Sequence, residues 1–300
     1  MGAEWDAEIE VGAEAAARLI GARWPELRGE AVEPLGTGWD NTVFTVGGRV
    51  FRFPRRAVAV PLLERELAAL PVLAPALPLP VPVPSHVARD GSPEFPWPFW
   101  GAPLVPGREL AALPDDARTR AAADAGRFLR ALHDPALVPR ADLPRDPNRR
   151  GDPQYRADLA SARLDALTDQ GRWNPDPAVH ALLAAARDAP PPGGTAVCHG
   201  DLHARHLLVG PDGAATGVID WGDVCLADPA VDLSLAYGAF TGPARAALLA
   251  SYGRPVPPGR ELAARVLAVF LCAALAEYAA DDGRPALLAE ALTGLARAAA

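Results

Sequence analysis

The chain has 300 residues, half of them apolar, and a formal net charge of −8 at pH 7. A chain of this size and composition can bury a sizeable core without disulfides, either as one large domain or as two lobes. Its acidic balance argues against nucleic-acid binding as the main function. All 29 basic residues are arginines, so no lysine can form a Schiff base or bind phosphate groups.

The cysteines and the apolar segments indicate the cellular compartment. Cys198, Cys225 and Cys272 stand far apart in apolar surroundings, which predicts reduced, buried thiols, as in a cytosol. Residues 1–10 are acidic and do not resemble a signal peptide. The longest apolar run, residues 266–276, is too short to span a bilayer. We therefore expect a cytoplasmic protein with no membrane partner, of unknown oligomeric state.

The first third of the chain mixes helical and β-type patterns. Residues 4–23 have apolar positions at helical spacing, and two later β-type runs are joined by Gly47 and Gly48, which favour a tight hairpin. The predicted elements are a helix over 4–23, strands over 32–35, 42–46 and 50–53, and a helix over 62–73.

A proline-rich passage extends over residues 71–106; its alternating prolines at 77–84 cannot be helical, and a β-type run follows at 95–105. Beyond it the sequence becomes rich in Ala, Leu and Arg, which favours helices. We therefore predict an N-lobe over residues 1–104 and a C-lobe over 105–300. Helices are predicted from 114 to 133 and at 153–168, 176–188, 229–239, 243–252, 259–280 and 285–298.

Residues 197–223 carry the strongest functional pattern. Two β-type runs flank the turn residues 210–213, so a hairpin is expected. Because both ends of a hairpin open on the same side, this layout places Asp201, His206 and Asp220 near one point. An Asp, a ligand-type residue five positions later and a second Asp beyond a hairpin form the arrangement that kinases use for a base and a metal.

The ordered set of motifs resembles the aminoglycoside phosphotransferase family, small-molecule kinases with a bilobal, protein-kinase-like α+β fold. The resemblance spans about residues 30–280, and its most specific parts lie in residues 199–206 and 219–233. It implies an enzyme that moves the γ-phosphoryl group of ATP or GTP to a hydroxyl group of a small molecule, most often an antibiotic or related natural product. The first lobe would bind the nucleotide.

The resemblance implies a role for each residue of the motif. Asp201 would be the catalytic base, and Asp220 would bind Mg²⁺ as the hard anionic ligand that this ion prefers. His206 would be the second metal ligand, although the family has Asn at this place. Because imidazole nitrogen suits Mg²⁺ less well than an amide oxygen, Mn²⁺ is an alternative ion.

Residues of the first lobe match the family's nucleotide-binding positions. Gly36 and Gly38 would let backbone amides approach the phosphates. Arg52 aligns with the phosphate-binding lysine of the family, and its arginine side chain is bulkier and not equivalent. Its acidic partner would be Glu66 on the next helix, with Glu64 as the alternative.

The same resemblance assigns roles to residues of the hinge, the segment that connects the two lobes. The carbonyl of Pro103 and the amide of Val105 would bond the nucleotide base, and Ala102 would line the back of the base pocket. The small side chain of Ala102 leaves room for either base, so ATP and GTP both stay open.

Three alternatives stay open. The histidines at 199, 203 and 206 could form a zinc site, but Gly200 interrupts any helix that would place His199 and His203 on one face, and the neighbouring Glu of such sites is missing. Within the kinase class, a metabolic enzyme could act on a choline-, homoserine- or fructosamine-like compound. Because Arg52 and His206 replace two expected residues, a catalytically silent nucleotide-binding protein is the third alternative.

Overall fold

The computed structural model describes residues 7–300, so residues 4–6 of the predicted first helix lie outside the described residues. The chain forms two compact units. The first unit contains the described residues up to Pro75, then Val81–Val105 and Trp221–Asp223. The second contains Ala76–Pro80, Pro106–Asp220 and Val224–Ala300.

The first unit is built on an antiparallel sheet of five strands in the order β1-β2-β3-β5-β4. Gly47 and Gly48 join β2 to β3 with φ angles of 52° and 74°, which glycine adopts without steric cost; the predicted hairpin is therefore confirmed. The elements of this unit are α1 (Ala13–Arg23), β1 (Val32–Thr37), β2 (Asn41–Val46), β3 (Arg49–Pro54), α2 (Val60–Leu73), β4 (His86–Ala88) and β5 (Phe99–Pro103).

Aromatic residues form the core beneath this sheet. Phe51 and Phe53 of β3 are fully buried and pack with Phe95, Phe99 and residues of α1. Since neighbouring residues on a strand point to opposite faces, Arg52 lies on the other face of β3. Its partner in the β3–β5 register is Trp100, and the guanidinium carbon is 5.7 Å from the centre of the Trp100 ring.

Two predicted elements differ from the observed ones in this part of the chain. The first helix begins at Ala13, because Gly12 is extended at its N-cap and the N–H groups of Glu8 and Ile9 donate to the carbonyl of Arg55 instead of entering a helix. The β-type run predicted at 95–105 is a strand only over Phe99–Pro103.

The second unit combines helices with two small antiparallel sheets. β7 pairs with β10, and β8 is flanked by β6 and β9. The hairpin predicted around the turn residues 210–213 is confirmed as β8–β9, with Leu207 opposite Val218. The strands are β6 (Arg108–Glu109), β7 (Ala196–Cys198), β8 (Leu207–Val209), β9 (Ala215–Val218) and β10 (Cys225–Ala227).

Helices supply most of the second unit. The helix predicted from residue 114 begins at Thr119, after a 3₁₀ turn over Asp115–Ala117; the other helices lie within a few residues of their predicted bounds. They are α3 (Thr119–Leu132), α4 (Pro153–Asp169), α5 (Pro177–Ala186), α6 (Ala230–Gly238), α7 (Gly242–Tyr252), α8 (Pro258–Asp281) and α9 (Pro285–Ala299).

The central helix of this unit is α8, which packs against α4, α5, α6 and α9. Within residues 7–300, α8 is the one helix that is long and apolar enough to cross a membrane. The apolar run at 266–276 is too short by itself, but the helix that contains it has 24 residues. However, 78% of its most apolar stretch is buried inside the chain. That burial is what the core helix of a globular unit shows, so α8 is weak support for a membrane span.

Candidate active site

The β8–β9 hairpin brings His206 and Asp220 together. His206 immediately precedes β8, and the N–H of Ile219 after β9 donates to the His206 carbonyl over 3.0 Å. As a result, Nε2 of His206 lies 3.3 Å from Oδ2 of Asp220. Asp220 has a φ of 67°, a left-handed conformation that costs energy in a non-glycine residue and is concentrated at functional sites.

The hydrogen bonding of His206 fixes which ring nitrogen carries a proton. Nδ1 lies 2.8 Å from the carbonyl oxygen of Asp201, so Nδ1 must be the donor. In the neutral ring Nε2 then presents a lone pair toward the carboxylate of Asp220. Two acceptors at this distance are compatible with a cation between them, so His206 and Asp220 fit a divalent metal ion by the chemistry of their donor atoms.

A buried carboxylate fixes the start of the loop over residues 199–206, which connects β7 to β8 and contains Asp201. Asp232 of α6 is completely buried, and it accepts hydrogen bonds from the N–H groups of His199 over 2.8 Å and Gly200 over 3.0 Å. Burial opposes the charge on Asp232, but the bond from His133 and these backbone bonds hold its pKa below the ordinary value. The loop is therefore anchored to α6 through charge-assisted hydrogen bonds.

The ring of His199 links the loop to the second strand of the hairpin. Its Nε2 donates to the carbonyl of Ile219 over 2.9 Å, and its Nδ1 accepts from the N–H of Asp201 over 3.2 Å. Burial lowers the pKa of His199, so the neutral ring that these two bonds require is also the favoured form. His199 therefore has the structural role of joining the segments that carry Asp201 and Asp220.

Two side chains that the sequence did not reveal complete this support. His133, at the end of α3, places Nε2 3.1 Å from Oδ2 of Asp232 and Nδ1 3.0 Å from the hydroxyl of Tyr252. All three residues are almost completely buried. Because His133 is 99 residues from Asp232 and 119 residues from Tyr252 in the sequence, the sequence predicted only a helix that ends near His133.

His203 lies against the candidate metal ligand. Its ring centre is 3.9 Å from that of His206, and its Nε2 is 3.7 Å from Oδ2 of Asp201. Burial, followed by the nearby His206, places the pKa of His203 well below its ordinary value. Among residues 7–300, the ligand atoms of Asp201, His203 and His206 lie within 4.8 Å of one another, as do those of His133, Cys198 and Asp232. His199 belongs to neither group, so the three histidines of the zinc hypothesis do not form a cluster of their own.

The first unit contains the predicted partner of Arg52. Nη1 of Arg52 is 3.1 Å from Oε1 of Glu66, and the two side chains are 10% and 2% exposed. The same carboxylate oxygen accepts the N–H of Trp221 over 2.8 Å. Glu64 instead pairs with Arg89. Glu66 thus joins Arg52 to the residue that directly follows Asp220 in the sequence.

The glycine-containing segment is a tight connection between β1 and β2. The pairing is irregular between Pro34 and Gly36, and the N–H of Gly38 donates to the carbonyl of Asn41 over 2.9 Å. The carbonyl of Gly38 accepts a bond from Arg55 over 2.8 Å. Binding of phosphate by Gly36 and Gly38 stays a prediction.

The predicted hinge residues end the sheet of the first unit. Pro103 closes β5 opposite Arg49, and the N–H of Leu104 donates to the carbonyl of Gly48 over 3.1 Å. Ala102 is fully buried and Val105 is 8% exposed. The bonding of a nucleotide base by Pro103 and Val105 stays a prediction.

Comparison with known proteins decides the family. A model of the phosphotransferase enzyme family matches residues 31–263. This chain belongs to that family. The family resemblance inferred from the motifs is therefore confirmed, and the chain is a phosphotransferase of the kinase type that acts on a hydroxyl group of a small molecule.

Individual relatives share the fold at low sequence identity. The chain is similar to aminoglycoside 2'-phosphotransferase-IIIa in its GDP complex, with a TM-score of 0.70, 20% identity and coverage of 96% of this chain and 99% of that one. Macrolide 2'-phosphotransferase MphH from Brachybacterium faecium gives a TM-score of 0.60, 26% identity and coverage of 94% and 98%. These likenesses confirm the predicted bilobal, kinase-like α+β fold.

One curated relative is similar over a short stretch. The chain is 42% identical over 65 residues to the uncharacterized protein YcbJ of Bacillus subtilis (strain 168). The match spans 22% of this chain and 21% of that protein.

Proposed function

We propose that this chain transfers the γ-phosphoryl group of ATP or GTP to a hydroxyl group of an antibiotic or related natural product, with Mg²⁺ or Mn²⁺ as the cofactor. The observation that carries the proposal is the convergence of Asp201, His206 and Asp220 at the open end of the hairpin. His206 contacts the backbone of Asp201 through one ring nitrogen and the carboxylate of Asp220 through the other.

Asp201 is the proposed base. Its carboxylate accepts the proton of the acceptor hydroxyl as the hydroxyl oxygen forms a bond to the γ-phosphorus. The bond from that phosphorus to the bridging oxygen breaks, and the nucleoside diphosphate leaves with the bonding electrons. The bond from the Asp201 N–H to His199 and the bond from His206 to the Asp201 carbonyl hold the base at both ends of its backbone.

His206 and Asp220 are the proposed metal ligands. A bound divalent ion supplies positive charge that offsets the charge of the phosphate oxygens. Because an imidazole nitrogen suits Mg²⁺ less well than an oxygen ligand does, the nitrogen of His206 favours Mn²⁺ relative to Mg²⁺ at this site. The carbonyl of Asp201 keeps the His206 ring in the tautomer that presents Nε2 as a ligand.

The first unit is the proposed nucleotide-binding unit. Arg52, held by Glu66, is proposed to bind phosphate oxygens through its planar guanidinium. Amides around Gly36 and Gly38 would approach the phosphates, and Pro103 and Val105 would bond the base. Solved relatives described as complexes with GDP support a nucleotide co-substrate.

The acceptor class is proposed from the relatives. Their descriptions name kanamycin and gentamicin as ligands and a macrolide as a substrate class, all of them hydroxylated natural products. Modification of such a compound would protect the cell that contains it. We propose that the reaction takes place in the cytoplasm, where nucleoside triphosphates are available.

A transfer assay tests this function. The purified chain is incubated with ATP or GTP, with Mg²⁺ or Mn²⁺, and with macrolides, kanamycin, gentamicin, streptomycin, choline, homoserine and a fructosamine. The expected product is one antibiotic whose mass has increased by one phosphoryl group. Phosphorylation of choline, homoserine or the fructosamine alone would favour a metabolic kinase. Nucleotide binding without any transfer would favour the silent protein, and stoichiometric zinc in the purified chain would favour the zinc hypothesis.

A further inference from the structure

The segment over residues 144–151 is hydrogen-bonded to β10, the partner strand of β7, and β7 leads into the loop over residues 199–206. The N–H of Asp146 donates to the carbonyl of Leu226 over 3.0 Å, and the N–H of Leu226 donates to the carbonyl of Pro144 over 2.8 Å. Leu226 belongs to β10, which pairs with β7, and β7 leads directly into His199. The segment is thus attached to the same small sheet that positions the loop.

The side chain of Asp146 closes a turn within this segment. Its two carboxylate oxygens accept the N–H groups of Arg150 over 2.8 Å and Gly151 over 2.7 Å. Arg149, inside the turn, has a φ of 51°. A left-handed non-glycine residue is held in place by its surroundings, so the turn has one fixed conformation that presents Arg150.

Arg156 of α4 holds the turn from its other side. Its guanidinium donates to the carbonyls of Asn148 and Arg149 and lies 4.4 Å from the centre of the Phe270 ring. Burial lowers the pKa of Arg156 to about 10, so the side chain still carries its charge at neutral pH. The turn is therefore bonded to α4 as well as to β10.

This turn directs Arg150 toward the proposed base. Nη1 of Arg150 donates to the carbonyl of Gly200 over 2.5 Å, and Nη2 lies 3.4 Å from Oδ1 of Asp201. The other carboxylate oxygen of Asp201 faces His203 at 3.7 Å and His206 at 3.9 Å. The two oxygens thus have different neighbours, and rotation of the carboxylate would disrupt both sets of contacts.

We propose that Arg150 is a positioning residue for catalysis, whose guanidinium holds the Asp201 carboxylate in the orientation that accepts the proton of the acceptor hydroxyl. The inference rests on the proposed function, since it requires Asp201 to be the base. A purely structural link between the turn and the loop would need only the bond to the Gly200 carbonyl. The second contact, between a fixed cation and the reacting carboxylate, is the one that bears on the chemistry.

The test compares Arg150→Gln, Arg150→Lys and the matched control Arg149→Gln. Arg149 belongs to the same turn, but its side chain is 61% exposed. The measurement is steady-state transfer from ATP or GTP to the macrolide or kanamycin acceptor that the wild-type chain phosphorylates. We expect Arg150→Gln to lower kcat about 100-fold, with the KM of each substrate changed less than about threefold.

The conservative variant Arg150→Lys distinguishes a positioning role of Arg150 in catalysis from a purely structural role. We expect Arg150→Lys to recover about a tenth of the wild-type kcat, because the lysine ammonium restores the positive charge but not the paired N–H donors of the planar guanidinium. Arg149→Gln should match the wild type, and the melting temperatures of all three variants should agree within a few degrees. A kcat near wild type in Arg150→Gln would overturn the inference. Equal losses in both Arg150 variants with a lower melting temperature would overturn it as well, because they would indicate a structural role.

Failure of the proposed function gives a different result. If Arg150→Gln is fully active while Asp201→Asn is inactive, the phosphotransferase proposal stands and only the role of Arg150 is wrong. If the wild type and Asp201→Asn transfer phosphate equally well, Asp201 is not the base, and the inference fails together with the mechanism on which it rests.

Discussion

Two buried carboxylates, one in each unit, hold the backbone of the motif segments in different ways. In the second unit, Asp232 accepts the N–H groups of His199 and Gly200. In the first unit, Glu66 accepts the N–H of Trp221. Both acids lie on helices and are almost completely inaccessible to solvent. Each unit thus uses a helical carboxylate to fix a short segment of irregular backbone.

The difference between the two acids lies in their remaining partner. Asp232 is hydrogen-bonded to His133, whose other ring nitrogen lies 3.0 Å from the hydroxyl of the buried Tyr252, so its remaining partner belongs to the core. Glu66 is bonded to Arg52, a side chain proposed to bind phosphate. Loss of Asp232 should therefore be measured mainly in stability, whereas loss of Glu66 should be measured mainly in nucleotide affinity.

The largest expected effect is that of Asp232→Ala on folding. The substitution leaves two buried backbone N–H groups and His133 without their acceptor, so we expect the free energy of unfolding to fall by about 4 kcal/mol. Urea denaturation measures the change. Asp158→Ala, which removes an exposed carboxylate on α4, serves as the control. A loss in Asp232→Ala no larger than in the control would show that Asp232 does not support the loop.

Glu66→Gln should change nucleotide binding more than folding. The amide oxygen can still accept the N–H of Trp221, but the charge that holds Arg52 is lost. We expect the dissociation constant for ATP or GTP to rise about tenfold, equivalent to about 1.4 kcal/mol, with a smaller loss of stability than in Asp232→Ala. Isothermal titration calorimetry measures the affinity.

The matched control for this substitution is Glu64→Gln on the same helix. Glu64 is 42% exposed and pairs with Arg89, so its loss should leave nucleotide affinity unchanged. Equal affinities in Glu66→Gln and Glu64→Gln would contradict the coupling of Glu66 to phosphate binding through Arg52.

A smaller effect concerns Tyr252, at the far end of the Asp232 network. Burial raises its pKa from 10 to about 12, so the folded state disfavours the phenolate. The corresponding stability is present below pH 10 and is lost as the pH rises toward about 12. Tyr252→Phe should lower stability at neutral pH by about 1 kcal/mol and flatten the alkaline decline. An equally steep decline in the variant would show that Tyr252 does not cause it.

The sequence predicted those parts of the site that depend on neighbouring residues. The glycine pair between β2 and β3 and the turn between β8 and β9 are local signals, and both hairpins are present. The proximity of His206 to Asp220 followed from the second hairpin. The family resemblance implied Glu66 rather than Glu64 as the partner of Arg52, and the folded chain has that ion pair.

The parts that could not be predicted depend on contacts between distant segments. Arg150 lies in a turn without periodicity and contacts Gly200, 50 residues later in the sequence, and the adjacent Asp201. The β7–β10 pair consists of three-residue strands, too short to give an alternating pattern. Only the folded chain brings His133 to Asp232, because helix packing, which sequence spacing does not encode, determines their separation.

The most direct measurement of the central claim is phosphoryl transfer by Asp201→Asn. An amide cannot accept the hydroxyl proton, so we expect kcat to fall about a thousandfold, while the dissociation constants for nucleotide and acceptor stay within about twofold of the wild type. Asp212→Asn, in the turn of the same hairpin, is the control and should be fully active. Transfer by Asp201→Asn at the wild-type rate would contradict the assignment of Asp201 as the catalytic base.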